Sequence, residues 1–109
     1  ELIGPHLKSI LDHLKKSGIH DAVKRNTLRL LQFVNIPKRL HGRVADICFN
    51  FLQNKKEPVA IRCFSITVLG TIAASNPGLK REIALIIEDQ LPYATPGLAV
   101  RAKRVLRAL

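Results

Sequence analysis

The sequence predicts an all-α protein built from helical hairpins that repeat along the chain. Apolar residues recur at helical spacing throughout, and no alternating, strand-like segment competes with them. Five of the six prolines stand where helices would begin. The pattern also repeats with a period of about 38 residues, which is typical of repeat architectures. With 109 residues, of which 47% are hydrophobic, we expect a single domain over residues 1–109.

The helix starts follow from the prolines and from capping residues. Proline lacks only an N–H that the first helical turn leaves unpaired, so Pro5, Pro37, Pro58, Pro77 and Pro96 predict helix starts. Asp21, Asn76 and Thr95 are expected to act as N-caps. The predicted helices are roughly 3–16, 20–35, 37–53, 57–75, 77–91 and 95–109. Their connections are short, which favours antiparallel neighbours.

The internal repeat is clearest at an apolar residue followed by a basic one. Val23-Lys24, Ile61-Arg62 and Val100-Arg101 align at that period, and apolar positions after each pair coincide. The helix that follows each pair repeats as well, so that Val44 and Ile47 match Ile83 and Ile86. The period therefore predicts about two and a half stacked hairpins.

Around these pairs the chain resembles the HEAT repeat family, in the segments 21–24, 57–62 and 96–101, which read DAVK, EPVAIR and PGLAVR. The resemblance implies a right-handed α-α superhelix, or solenoid, similar to armadillo-like folds. It also implies that the second helix of each unit lines a concave binding face.

The predicted helix 57–75 is apolar nearly all round, with Arg62 as its one charge. Such a helix needs neighbours on most sides. We expect it to be the middle first-helix of the stack, and expect Gly70, Ala73 and Ala74 to let its neighbours approach closely.

The last predicted helix, 95–109, has a single apolar stripe and a basic opposite face. A helix of this kind packs on one side only, as the terminal helix of a solenoid does. The apolar stripe comprises Leu98, Ala102, Val105, Leu106 and Leu109. The basic face comprises Arg101, Lys103, Arg104 and Arg107.

The net charge of +10, from 18 Lys and Arg against 8 Asp and Glu, favours acidic partners, although it can equally serve solubility. On the predicted second helices the positive charge lies near the helix starts. We therefore expect a basic ridge on the concave face that binds an acidic segment of a protein partner. The ridge consists of Lys38, Arg39, Arg43, Lys80 and Arg81.

Nucleic acid is the alternative partner, because clustered Lys and Arg can bind a phosphate backbone without reading its sequence. The face with Arg101, Lys103, Arg104 and Arg107 is the best candidate for that contact. Against this alternative, the basic clusters carry no interleaved aromatic residues on which bases could stack.

No arrangement of residues predicts catalysis, a metal or a cofactor. His6, His13 and His20 recur every seven residues, which on a helix separates them by about 10 Å and prevents them from sharing one ion. No phosphate-binding glycine loop occurs, and Ser65 and Thr67 have no histidine nearby in sequence. We expect a scaffold or interaction module that is not an enzyme.

The two cysteines, Cys48 and Cys63, lie in apolar runs and are expected to be reduced and buried. No signal peptide is visible, and the longest apolar segment is too short and too polar to span a bilayer. We therefore expect a cytoplasmic protein without membrane contact.

Overall fold

The computed structural model describes residues 7–14 and 20–109. This part of the chain forms six α-helices. They are α1 (Leu7–Leu14), α2 (Asp21–Leu31), α3 (His41–Gln53), α4 (Val59–Ser75), α5 (Pro77–Gln90) and α6 (Pro96–Ala108). A single 3₁₀ turn, Lys38–Leu40, leads into α3, and another, Leu91–Tyr93, follows α5.

The helices form two layers with α4 at the centre. The first helices of the units, α2, α4 and α6, pack side by side, and α3 and α5 both pack on α4. In contrast, α3 and α5 make hardly any direct backbone contact with each other. The molecule is a flat slab of 37 × 32 × 18 Å.

The surroundings of α4 explain its apolar sequence. Its neighbours are α2, α3, α5 and α6, so nearly every face of the helix is covered. Ile66, Val68 and Leu69 are fully buried, and even Arg62 is only 6% exposed. The predicted position of this helix in the middle of the stack is therefore correct. Among the described residues, no helix is long and apolar enough to cross a membrane.

Gly70 is the point of closest approach between α4 and α6. A methyl group at this position would lie 2.9 Å from Cγ1 of Val105. That distance is shorter than carbon atoms tolerate, and the β-branched valine has little freedom to move away. Gly70 therefore allows the close approach that the sequence predicts, whereas Ala74, predicted to share that role, is exposed.

The second helix ends at Leu31, earlier than the predicted residue 35. After Leu31 the backbone N–H groups of Gln32 and Phe33 bond to carbonyls three residues back, so the last turn tightens and the helix stops. Ile36 precedes Pro37, and a residue before proline is displaced from the helical region. The same proline precedes the 3₁₀ turn Lys38–Leu40, so α3 itself begins at His41 and not at the predicted residue 37.

Of the three predicted N-caps, Asp21 is wrong, Asn76 holds the cap position without a capping side-chain bond, and Thr95 is correct. Asp21 is the first residue of α2, and the cap is His20, whose Nδ1 accepts a hydrogen bond from the N–H of Ala22. Asn76 precedes α5 but its side chain does not cap it, because the amide bonds to Ile72 and His41 instead. Thr95 caps α6 as predicted, with its Oγ1 accepting from the N–H of Leu98.

Candidate partner-binding surface

The basic residue that follows the apolar one in each unit is used for internal contacts. Lys24 forms an ion pair with Glu57 at 2.9 Å and lies over the ring of Phe51. Arg62 donates from Nε to the carbonyl of Leu52 and from Nη2 to Oε1 of Gln90, both at 2.9 Å. These repeated basic positions hold the hairpins together. The repeat of a basic residue at one register is the sequence signal for this structural role.

Arg101, the third residue of this series, does not belong to the basic outer face of α6. Its Nη1 donates to the hydroxyl of Thr67 on α4, and the residue is half-buried. The prediction that Arg101 lies opposite the packed stripe is wrong, because its long side chain reaches back along its stem to α4. Lys103, Arg104 and Arg107 are exposed, and they form the remaining α6 cluster.

The starts of α3 and α5 meet through a side-chain hydrogen bond. Nε2 of His41 lies 2.8 Å from the carbonyl oxygen of Ile36, which can only accept, so this nitrogen carries the proton. Nδ1 then accepts from the amide of Asn76 at 2.6 Å. His41 is the first residue of α3, and Asn76 directly precedes α5. The contact therefore holds two helix starts side by side although α3 and α5 hardly touch elsewhere.

This contact joins the two helix starts that carry four predicted ridge residues, and we call this border, with Lys38, Arg39, Lys80 and Arg81, the basic edge. Lys38 and Arg39 lie in the turn before His41, and Lys80 and Arg81 lie in and just after the first turn of α5. Lys38, Arg39 and Arg81 are exposed, and Lys80 is half-buried. Sequence reasoning did not identify the His41 and Asn76 contact, because nothing in the sequence pairs two residues so far apart.

Arg43, the fifth predicted ridge residue, is involved in a different contact. Its guanidinium forms an ion pair with Asp12 of α1. The pair connects the first two second-helices of the stack. Because the charge of Arg43 is already compensated, this residue adds less to the positive potential of the edge than Arg39 or Arg81.

The backbone adds to the positive potential of the basic edge. A helix start carries a partial positive charge, which acidic residues in the first turn normally offset. Neither α3 nor α5 has an acidic residue in its first turn. Glu82 stands one turn into α5 and is the nearest acidic residue along that helix. The edge thus combines side-chain charge with two helix starts of the same sign.

A small pocket lies beside the contact between His41 and Asn76. It has a volume of about 80 Å³ and lies between the loop after α2 and the last turns of α4. Its apolar lining comes from Val34, Ile36 and Ile72. Its polar lining comes from Asn35, His41, Thr71 and Ser75. No sequence pattern predicts this pocket, because its walls come from segments that are separate in sequence.

The cysteines lie away from this edge and are not paired with each other. Cys48 is buried, and desolvation raises the pKa of its thiol to about 12 despite a hydrogen bond with Ser65. Cys63 is only half-buried, which corrects the expectation that both thiols are buried. Burial also raises the pKa of Cys63, and the nearby Arg101 and Arg62 oppose that shift.

Other titratable side chains do not converge on a centre. Across residues 7–14 and 20–109, no group of three His, Cys, Asp or Glu side chains could hold a metal ion. His13 and His20 are exposed, as is Asp46, while His6 lies outside the described residues.

Comparison with known protein families agrees with this architecture. The model of the HEAT repeat domain family matches residues 3–109. The chain belongs to the HEAT repeat family, and its predicted fold class, an all-α solenoid, is confirmed. A search of curated proteins and a search of solved structures found no match.

Family membership gives a broad functional class. HEAT repeats generally mediate protein–protein interaction or scaffolding, and the family is generally non-catalytic. The partner of this chain and the surface that binds it are therefore the questions that its own residues must answer.

Proposed function

We propose that this protein is a non-catalytic interaction module that binds an acidic segment of a protein partner along the basic edge. The observation that carries this proposal is the hydrogen bond between His41 and Asn76, at 2.6 Å. It joins the helix starts that carry Lys38 and Arg39 on one side and Lys80 and Arg81 on the other, which supports binding of one extended segment to both pairs.

Electrostatics favour an acidic ligand over a neutral one. Several exposed cations, with no acidic residue in the first turn of α3 or α5, attract an anionic segment and speed its association. We take the segment to be extended, so that it runs from one helix start to the other. Arg43 serves this site as a support, through its pair with Asp12. A cytoplasmic location stays a prediction, and it agrees with reduced cysteines.

The test is the anisotropy of a labelled peptide of alternating Glu and Gly residues, titrated with the protein. The double variant Arg39→Glu with Arg81→Glu should weaken binding by about a hundredfold, since two close charge contacts become repulsions. Arg43→Glu is unsuitable for this purpose, because it also breaks the pair with Asp12.

A matched control exists at the opposite border of the slab. Lys55→Glu with Lys56→Glu makes the same change in net charge in the exposed loop between α3 and α4. This control should bind the peptide nearly as well as the wild-type protein. Equal losses in both double variants would mean that only net charge matters, and the proposed site would then be wrong.

Binding to the phosphate backbone of nucleic acid is the second candidate function. It rests on the exposed cations Lys103, Arg104 and Arg107 of α6. It predicts affinity for unrelated DNA sequences that falls steeply with salt. Arg104→Glu with Arg107→Glu should abolish that affinity, while Arg39→Glu with Arg81→Glu should leave most of it. Absence of DNA binding at low salt would exclude this candidate.

A further inference from the structure

We propose that the pocket beside His41 holds one aliphatic side chain of the acidic segment, and so selects among acidic partners. This inference rests on the proposed function, because the pocket adjoins the basic edge. The same residue, His41, lines the pocket and bonds to Asn76. A segment lying across the edge therefore passes the mouth of the pocket.

The size of the pocket fits a single side chain. Its volume of about 80 Å³ is enough for several water molecules or for one branched aliphatic group. It is too small for a drug-sized ligand or a nucleotide, whose sites occupy about 300 Å³ or more. A leucine, isoleucine or valine of the partner matches these dimensions.

The lining is partly apolar and partly polar, and two of its polar side chains are already engaged within the protein. Both ring nitrogens of His41 are engaged, by Ile36 and by Asn76, so the ring offers mainly carbon atoms to the pocket. The hydroxyl of Thr71 donates to the carbonyl of Thr67 within α4. Val34, Ile36 and Ile72 supply the remaining apolar wall. Asn35 and Ser75 offer polar groups that suit the backbone on either side of the guest residue.

An exposed aromatic residue stands next to the pocket in sequence. Phe33 is 80% exposed, and it directly precedes the loop residues Val34–Ile36 that form one wall. Exposed aromatic side chains beside a pocket are frequent anchors of protein interfaces. Phe33 and the pocket would together add an apolar contribution to partner binding, beside the electrostatic contribution of the basic edge.

The test uses two labelled peptides that differ at one position. Both alternate Glu and Gly residues; one has a central leucine, and the other has serine there. The wild-type protein should bind the leucine peptide about tenfold more tightly, since burial of an aliphatic side chain contributes about 1.5 kcal/mol or more.

Ser75→Leu fills the pocket from the last residue of α4. In this variant the leucine peptide should bind no more tightly than the serine peptide. Ser9→Leu, the same substitution at an exposed position of α1, is the matched control and should keep the tenfold preference. Thr71→Leu, which fills the pocket from one turn earlier in α4, should repeat the result of Ser75→Leu, so the test does not depend on the folding of a single variant.

The outcomes separate the two proposals. If the wild-type protein binds both peptides equally, or if both pocket-filling variants keep the preference for leucine, the pocket inference is overturned and the acidic-segment function stands. If neither peptide binds at low salt, the proposed function fails and this inference falls with it.

Discussion

Arg62 and Gln90 form a buried hydrogen bond, with Nη2 of the arginine 2.9 Å from Oε1 of the glutamine. The same guanidinium donates from Nε to the carbonyl of Leu52 at the end of α3. The ends of α3 and α5 are thus bridged by Arg62, and their starts are joined by His41 and Asn76. Two polar links therefore connect these helices, one at their starts and one at their ends.

The Arg62 link predicts an asymmetry between single and double substitutions. Gln90→Leu leaves a buried guanidinium without one acceptor and should lower the free energy of unfolding by about 1–3 kcal/mol. Arg62→Met combined with Gln90→Leu should be less destabilising than the sum of the two single changes, because no buried charge is left unpaired. Urea denaturation of the four proteins measures the coupling. Strict additivity would show that the bond contributes nothing.

Gly70 and Val105 should be coupled in the same way through packing. Gly70→Ala places a methyl group against the valine and should cost about 1–3 kcal/mol for overpacking, partly offset by the higher helix propensity of alanine. In a Val105→Ala background the clash is absent, so the same change should become neutral or stabilising. Thermal unfolding of the double-mutant cycle checks this. A Gly70→Ala effect that does not depend on residue 105 would contradict the close contact.

Asn76→Ala tests whether the joined helix starts matter for binding. The substitution removes the hydrogen bond to His41 and should allow the two halves of the basic edge to separate. Affinity for the labelled acidic peptide should fall several-fold, with a stability loss of about 1 kcal/mol. Asn50→Ala, at an exposed position of α3, is the control and should change neither quantity. An unchanged affinity of the Asn76 variant would show that the two pairs of cations act independently.

The cysteines should differ in reactivity toward a thiol reagent. Thiolates are the reactive form, and burial raises the pKa of Cys48 from its usual 9.0 to about 12. Cys48 should therefore react only when the protein unfolds, while the half-buried Cys63 should be modified first. Mass spectrometry after labelling at pH 8, with Cys63→Ser as control, distinguishes the sites. Rapid labelling of Cys48 in the folded protein would contradict its burial.

The same pKa shift links stability to pH. The unfolded chain loses the Cys48 proton near pH 9, whereas the folded protein keeps it until about pH 12. Since the unfolded state then binds fewer protons, stability should fall as pH rises through this window. The stability of the Cys48→Ala variant should fall less steeply over the same pH range. Urea titrations at several pH values measure this difference.

The repeat period, the prolines and the apolar spacing predict the six helices and the central place of α4, and the resemblance of three segments to HEAT repeats predicts the family. They could not predict where long polar side chains go. Arg101 reaches α4, and the amide of Asn76, at the cap position of α5, bonds to His41, because each side chain makes a tertiary contact that no local pattern encodes. The pocket could not be predicted either, since its walls come from two segments that are distant in sequence and meet only in the fold. The partner of the basic edge stays a prediction.

Chemical-shift mapping of the ¹⁵N-labelled protein with the acidic leucine peptide is the most direct test of the basic edge as a binding site. The largest shifts should fall in 33–43 and 71–82, which contain the pocket walls and the starts of α3 and α5. Residues 54–57 and 93–95, at the opposite border, should stay unchanged. Shifts concentrated there or on α6, or no shifts at all, would contradict binding at the basic edge.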